Sequence, residues 1–97
     1  MKTFEELRDI IQKNKFELEL QFKIKKIGIF GSYVRGEQKK TSDIDILVEF
    51  KDPIGLIKFI VLEERLEELL GVKVDLVSKK ALKNRIGEHI RNEVIYT

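Results

Sequence analysis

Ser42-Asp43-Ile44-Asp45-Ile46-Leu47-Val48-Glu49-Phe50 is the stretch whose pattern decides the architecture. From Asp43 onward one residue in two is apolar. Successive side chains of a strand point to opposite faces. Asp43, Asp45, Leu47 and Glu49 therefore share one side of a strand over 43–50, and Ile44, Ile46, Val48 and Phe50 share the other. Such a strand buries an aliphatic face and sets two carboxylates side by side. Two unit charges about 4 Å apart repel by about 4 kcal/mol at an effective dielectric of 20, and Asp is depleted in strands. The pair is either a strand edge facing water or the grip for a cation. Hard carboxylate oxygens select Mg²⁺, with Mn²⁺ as the alternative.

Working upstream, Lys26 to Phe30 is a short apolar run closed by Gly31-Ser32 and reads as a buried strand. A glycine after such a strand lets backbone approach a phosphate, and the serine adds a hydroxyl donor. Val34 to Ser42 holds Gly36 and polar residues, which predicts a turn or loop. The link between these strands is too short for a helical crossover, so the two are expected to be antiparallel neighbours. At the N-terminus, Thr3 and Glu6 have capping-box spacing. Phe4, Leu7 and Ile11 then share a helical face, predicting a first helix from Thr3 to at least Asn14. Phe16, Leu18, Leu20, Phe22 and Ile24 alternate with polar residues, as in a strand. The reading adopted is a helix continuing to about Leu20, for the family reason given below.

Downstream, Asp52-Pro53 reads as a helix opening, with Asp as cap and Pro in the first turn. Ile57, Ile60, Val61, Leu66, Leu69 and Leu70 keep helical spacing up to Gly71, a residue suited to a left-handed terminus. Val72 to Val77 is a third strand, with Val72, Val74 and Leu76 on one face and Lys73, Asp75 and Val77 on the other. Asp75 is again an acid in mid-strand. If this strand lies beside 43–50, Asp43, Asp45 and Asp75 converge, and three carboxylates on one sheet face suit a two-metal site. Ser78 to Val94 reads as a final helix interrupted by Gly87. The order α-β-turn-β-α-β-α predicts an α/β fold: a small mixed sheet with helices mainly on one face.

The 97 residues are expected to form one domain over 1–97. A hydrophobic share of 42% argues against disorder. Nineteen Lys and Arg against seventeen Asp and Glu leave a net charge of +2, which is no nucleic-acid signal. Lys23, Lys25, Lys26, Lys39 and Lys40 form a basic rim at most, and a solvated surface is the plainer reading. The absence of Cys excludes disulfides and thiolate metal sites. No apolar run has membrane-spanning length, and the first residues lack the apolar core of a signal peptide. The expectation is a cytoplasmic protein without membrane contact.

Gly31-Ser32, ten intervening residues and Asp43-Ile44-Asp45 resemble the signature of the DNA polymerase beta superfamily. Gly31-Ser32-Tyr33-Val34-Arg35-Gly36-Glu37 together with Ser42-Asp43-Ile44-Asp45-Ile46-Leu47-Val48 is similar to its minimal nucleotidyltransferase subfamily, over nearly the whole chain. That resemblance also favours the longer first helix. It implies that Asp43 and Asp45 bind two Mg²⁺ ions, and that Asp75 binds the catalytic metal and helps deprotonate an acceptor hydroxyl. Gly31 and Ser32 would hold the β- and γ-phosphates of ATP, with Arg35 as an assisting planar fork. Members of this subfamily resemble antitoxins paired with a HEPN-type toxin from an adjacent gene. The implied reaction is transfer of AMP from ATP to a toxin tyrosine. The competing readings are an idle antitoxin acting by binding alone, and nucleotidyl transfer to RNA or a small molecule. His89, the lone histidine, is read as structural or superficial. Tyr33 beside the turn is a candidate for base stacking, but packing is the plainer role.

Overall fold

The computed structural model describes residues 2–82, 90 and 92–97. Its first helix, α1 (Phe4–Phe22), begins at the predicted capping box. The Thr3 hydroxyl accepts the Glu6 N–H at 3.2 Å, and the Glu6 carboxylate accepts the Thr3 N–H at 3.3 Å. Leu7, Ile11, Leu18 and Phe22 are buried along one stripe. The strand-like alternation from Phe16 is thus resolved as helix up to Phe22, two residues beyond Leu20. A period of 3.6 turns Leu18 and Phe22 inward and leaves Phe16 and Leu20 74% and 69% exposed. Lys23, left-handed at φ 54°, ends the helix.

Strand β1 (Ile24–Phe30) follows at once and runs into a single helical turn, α2 (Ser32–Arg35), where a loop was expected. Strand β2 (Ile44–Phe50) is antiparallel to β1, as expected from the short link, with Phe30 opposite Asp45. Asp43 lies one residue before it.

Helix α3 (Gly55–Leu70) starts later than Asp52-Pro53 predicts. Gly55 has φ 75°, so a regular helix cannot run back through it to Pro53. Leu62, Leu66 and Leu70 of α3 are buried, whereas Ile57, Ile60 and Val61 are not. Gly71 ends the helix in the left-handed conformation, at φ 69°. The next strand, β3 (Val74–Ser78), is parallel to β2, with Asp45 opposite Asp75. As an edge strand it leaves N–H groups facing outward. Glu67 accepts the Val74 N–H at 3.0 Å and Glu63 accepts the Leu76 N–H at 3.2 Å.

The predicted helix from Ser78 is not formed at its start. Ser78 completes β3, and Lys79–Ala81 is a short 3₁₀ turn. Gly87 and His89 lie outside the described residues. Ile90, Asn92 and Glu93 are helical, and an unanticipated strand, β4 (Ile95–Tyr96), pairs antiparallel with β1. The described residues form a four-stranded mixed sheet of order β3-β2-β1-β4.

The larger core packs α1 and α3 on one face, through Leu7, Ile11, Leu62 and Leu66 against Ile29, Ile44, Ile46 and Leu76. Helices on one face were the expectation. The other face carries a smaller cluster of Phe30, Leu47 and Ile90. Asp45, two residues from Leu47, points to that less covered face. No helix among the described residues is long and apolar enough to cross a membrane.

Candidate functional site

The sheet brings the ends of three segments to one place: the end of β1, the start of β2 and the start of β3. Gly31 follows β1 with φ 83° and ψ −153°, a region that side chains other than hydrogen avoid. The reason for glycine is local. A Cβ there would sit 2.0 Å from Asp45 Oδ2 and 2.9 Å from its Cγ. The turn and the acid are therefore in van der Waals contact, and the Gly-Ser turn and the Asp-x-Asp strand are one structure. Gly31 C=O accepts the N–H groups of Val34 and Arg35 at 3.0 and 3.2 Å, which closes α2. Ser32 is partly exposed beside it.

Asp45 is half-buried, and its carboxyl is pushed up to about 6. Burial is the largest cause. The charges of Asp75 and Asp43, a hydrogen bond with Asp75 and the charge of Glu93 follow. Asp75 and Asp43 are exposed. Asp45 and Asp75 thus meet across the parallel register, while Asp43 acts on Asp45 from the entry of β2. Asp43 also lines a shallow depression with Lys40, Thr41, Ser42 and Lys73. Among the described residues no three acids are already gathered into a cluster that could hold a metal ion. The donor set nevertheless fits one. A hydrogen bond between two carboxyl groups needs a shared proton, and a cation is the other way to hold two such groups together. Oxygen donors without nitrogen or sulfur match Mg²⁺ or Mn²⁺.

Arg35, expected to face a triphosphate, is exposed and paired with two carboxylates, Glu37 and Glu93. Hydrogen bonds to those two partners raise its pKa further. Glu93 also accepts the Gly31 N–H at 3.0 Å. Sequence reasoning missed Glu93. It is one of seventeen acidic residues, 62 positions from Gly31, and nothing in its neighbourhood marks it.

Ser42 has a structural task within the motif. Its hydroxyl accepts the Lys39 N–H at 2.8 Å and closes the turn leading to Asp43. Tyr33 is 3% exposed in the main core, so it packs and is not open to a base. Burial, then the nearby Asp43 charge, raises its hydroxyl pKa. The expected basic rim is divided. Lys23, Lys25 and Lys26 lie at the start of β1, the far end of the sheet from Asp45, whereas Lys39 and Lys40 precede β2. A groove of about 680 Å³ between Phe50, Pro53, Leu56 and Phe59 is also at the far end. Its wall is mostly apolar, and Glu49 there is paired with Lys79 at 3.5 Å, so the candidate site remains with Gly31, Asp45 and Asp75.

The sequence model of the nucleotidyltransferase domain family matches residues 7–97. A protein of Thermococcus cleftensis, named protein adenylyltransferase MntA, is 52% identical over 96 residues, spanning 99% of this chain and 97% of its own. A solved structure described as a candidate minimal nucleotidyltransferase superposes with a TM-score of 0.76 at 34% identity, over 92% of this chain and 93% of that one. A toxin–antitoxin structure containing AMP-PNP superposes with a TM-score of 0.73 at 28% identity, over 88% and 70%.

Proposed function

Because the chain belongs to the nucleotidyltransferase domain family, we propose that it is a metal-dependent protein adenylyltransferase that moves AMP from ATP to a tyrosine hydroxyl of a HEPN-type toxin. In this reading it is a cytoplasmic antitoxin, and its partner is encoded beside it. The observation that carries the proposal is the contact of the Gly31 turn with Asp45, itself paired with Asp75 across β2 and β3. A phosphate-binding turn touching an acidic pair joins the two halves of a phosphoryl-transfer site. The name of the Thermococcus cleftensis relative and the AMP-PNP in the toxin–antitoxin neighbour support the choice of nucleotide and partner.

The roles proposed are those the family resemblance implies. Asp43 and Asp45 would hold two Mg²⁺ ions, and Asp75 would complete the set. Bound metal supplies charge compensation at the attacking and leaving oxygens of an in-line displacement. Gly31 and Ser32 take the β- and γ-phosphates through the backbone and the serine hydroxyl, and Arg35 adds its guanidinium. The tyrosine oxygen forms a bond to the α-phosphorus while the bond to the bridging oxygen breaks and pyrophosphate departs. The hydroxyl proton passes to Asp75, which is exposed towards an incoming protein. The acceptor is assigned to a second protein because the Thermococcus cleftensis relative is named a protein adenylyltransferase and the AMP-PNP neighbour is a toxin–antitoxin structure.

The test is transfer of label from α-labelled ATP, with Mg²⁺, to the product of the adjacent gene, located by mass spectrometry. Label on a toxin tyrosine is expected, and Asp43→Ala with Asp45→Ala should abolish it. Transfer by that double variant would overturn the site. Tight binding without any transfer would instead favour an antitoxin that acts by occupancy alone.

A further inference from the structure

Glu93 spans the two groups best suited to take a phosphate. One carboxylate oxygen accepts the Gly31 N–H at 3.0 Å, and the other is paired with the Arg35 guanidinium. The side chain is only 14% exposed, so this is an enclosed contact and not a passing surface pair. A backbone N–H at a glycine turn and a guanidinium are the donors that recognise anions generally. A phosphate oxygen and the Glu93 carboxylate cannot both use the Gly31 N–H at full strength.

The segment that carries Glu93 joins the sheet through a short strand. Val94 N–H bonds to Ile90 C=O at 2.9 Å, and Thr97 N–H bonds to Ile27 C=O at 3.0 Å. Between them β4 contributes two residues, Ile95 and Tyr96, opposite Ile29 and Gly28. Both are about 40% exposed. A two-residue edge strand is an element that can open locally without disturbing the rest of the sheet. Gly28 sets how closely it can lie. A Cβ on Gly28 would come 2.7 Å from Val94 Cγ2 and 2.9 Å from Ile95 C=O.

We propose that Glu93 is a built-in competitor for the phosphate turn, held over Gly31 and Arg35 by the C-terminal strap and displaced when a nucleotide triphosphate binds. This rests on the nucleotide-binding reading above. It adds that the affinity for nucleotide is set partly by the closing equilibrium of residues 92–97. If the strap is closed about nine-tenths of the time, apparent affinity is lowered about tenfold.

The experiment measures binding of AMP-PNP with Mg²⁺ by calorimetry, without any acceptor protein. Glu93→Gln keeps the shape and removes the charge. It should bind about tenfold more tightly than the unaltered chain, and Gly28→Ala, which pushes the strap away, should shift affinity in the same direction. Glu37→Gln is the control: it removes an equal charge from Arg35 but has no contact with Gly31. An equal gain in Glu37→Gln would mean general electrostatics and would overturn the proposal, as would unchanged or weaker binding in Glu93→Gln. The Gly31 amide proton resonance of the nucleotide-free protein gives an independent reading. It should move on Glu93→Gln and not on Glu37→Gln, and a resonance that stays still would overturn the contact itself. If neither the unaltered chain nor any variant binds AMP-PNP while the Gly31 resonance moves as expected, the nucleotide reading fails and the contact stands.

Discussion

Replacing Gly31 by alanine tests whether the phosphate turn and the acidic strand are one unit. Two costs can be separated. The backbone at φ 83° and ψ −153° is strained for alanine, at about 1–3 kcal/mol. The new Cβ would also lie 2.0 Å from Asp45 Oδ2, so the carboxylate must retreat by about 1 Å. An off-rotamer side chain costs about 0.5–1.5 kcal/mol more. The sum, about 2–4 kcal/mol, corresponds to a fall in Tm of about 10–20 °C for a domain of this size. In the proposed mechanism, displacing the Asp45 carboxylate by about 1 Å should lower transfer by about 100-fold. Asp45→Ala removes the oxygen at 2.0 Å and the carbon at 2.9 Å, leaving Asp45 Cβ at 3.2 Å. In that background Gly31→Ala should cost about 1 kcal/mol less, since only backbone strain persists. Differential scanning calorimetry of the four proteins in the cycle measures the coupling. Equal losses in both backgrounds, or a Gly31→Ala protein within about 2 °C of the parent with full transfer, would refute the reasoning.

Three further outcomes are expected. Asp45 is raised from 3.8 to about 6, so the folded protein holds its proton more tightly than the unfolded chain. Its contribution to stability is full below about pH 4 and is lost as pH rises to about 6. Unscreened, that shift corresponds to about 3 kcal/mol, but the carboxyl is half-exposed and about 1 kcal/mol is the reasonable share. Asp45→Asn should therefore raise Tm by about 4–8 °C above pH 6 and leave it almost unchanged near pH 4; a uniform shift across that range would contradict the assignment. Mg²⁺ at about ten times its Kd should stabilise the protein by about 1.4 kcal/mol at pH 8. Asp43→Asn should lose that response, and an equal response in the variant would remove Asp43 from the metal set. Leu66→Ala, fully buried beneath the sheet, should cost about 2–5 kcal/mol in urea unfolding; a loss under 1 kcal/mol would contradict its place in the core.

The legible parts of the fold were those with short-range causes. The capping box at Thr3, the alternation from Asp43 to Phe50 and the terminal Gly71 are local patterns, and each appears where the residues indicate. The register that sets Asp45 beside Asp75 follows from two such strands once their adjacency is granted. The strand-like run from Phe16 to Ile24 misleads because the helix leaves two of its five apolar side chains, Phe16 and Leu20, in solvent. The start of α3 was obscured by Asp52-Pro53, whose local preference yields to the backbone at Gly55. β4 was illegible: two residues carry no period, and their pairing depends on β1. Glu93 was illegible for the same reason, since the contact that distinguishes it spans most of the chain.

The glutamates that meet the outer N–H groups of β3 bear on how this chain keeps company with others. An uncovered strand edge is an invitation to sheet extension, whether by a copy of the same chain or by an extended segment of a partner. Glu63 and Glu67 answer the Leu76 and Val74 donors from α3. A visiting strand would have to evict two carboxylates to find them. Recruitment by strand addition is thereby discouraged along this margin of the sheet.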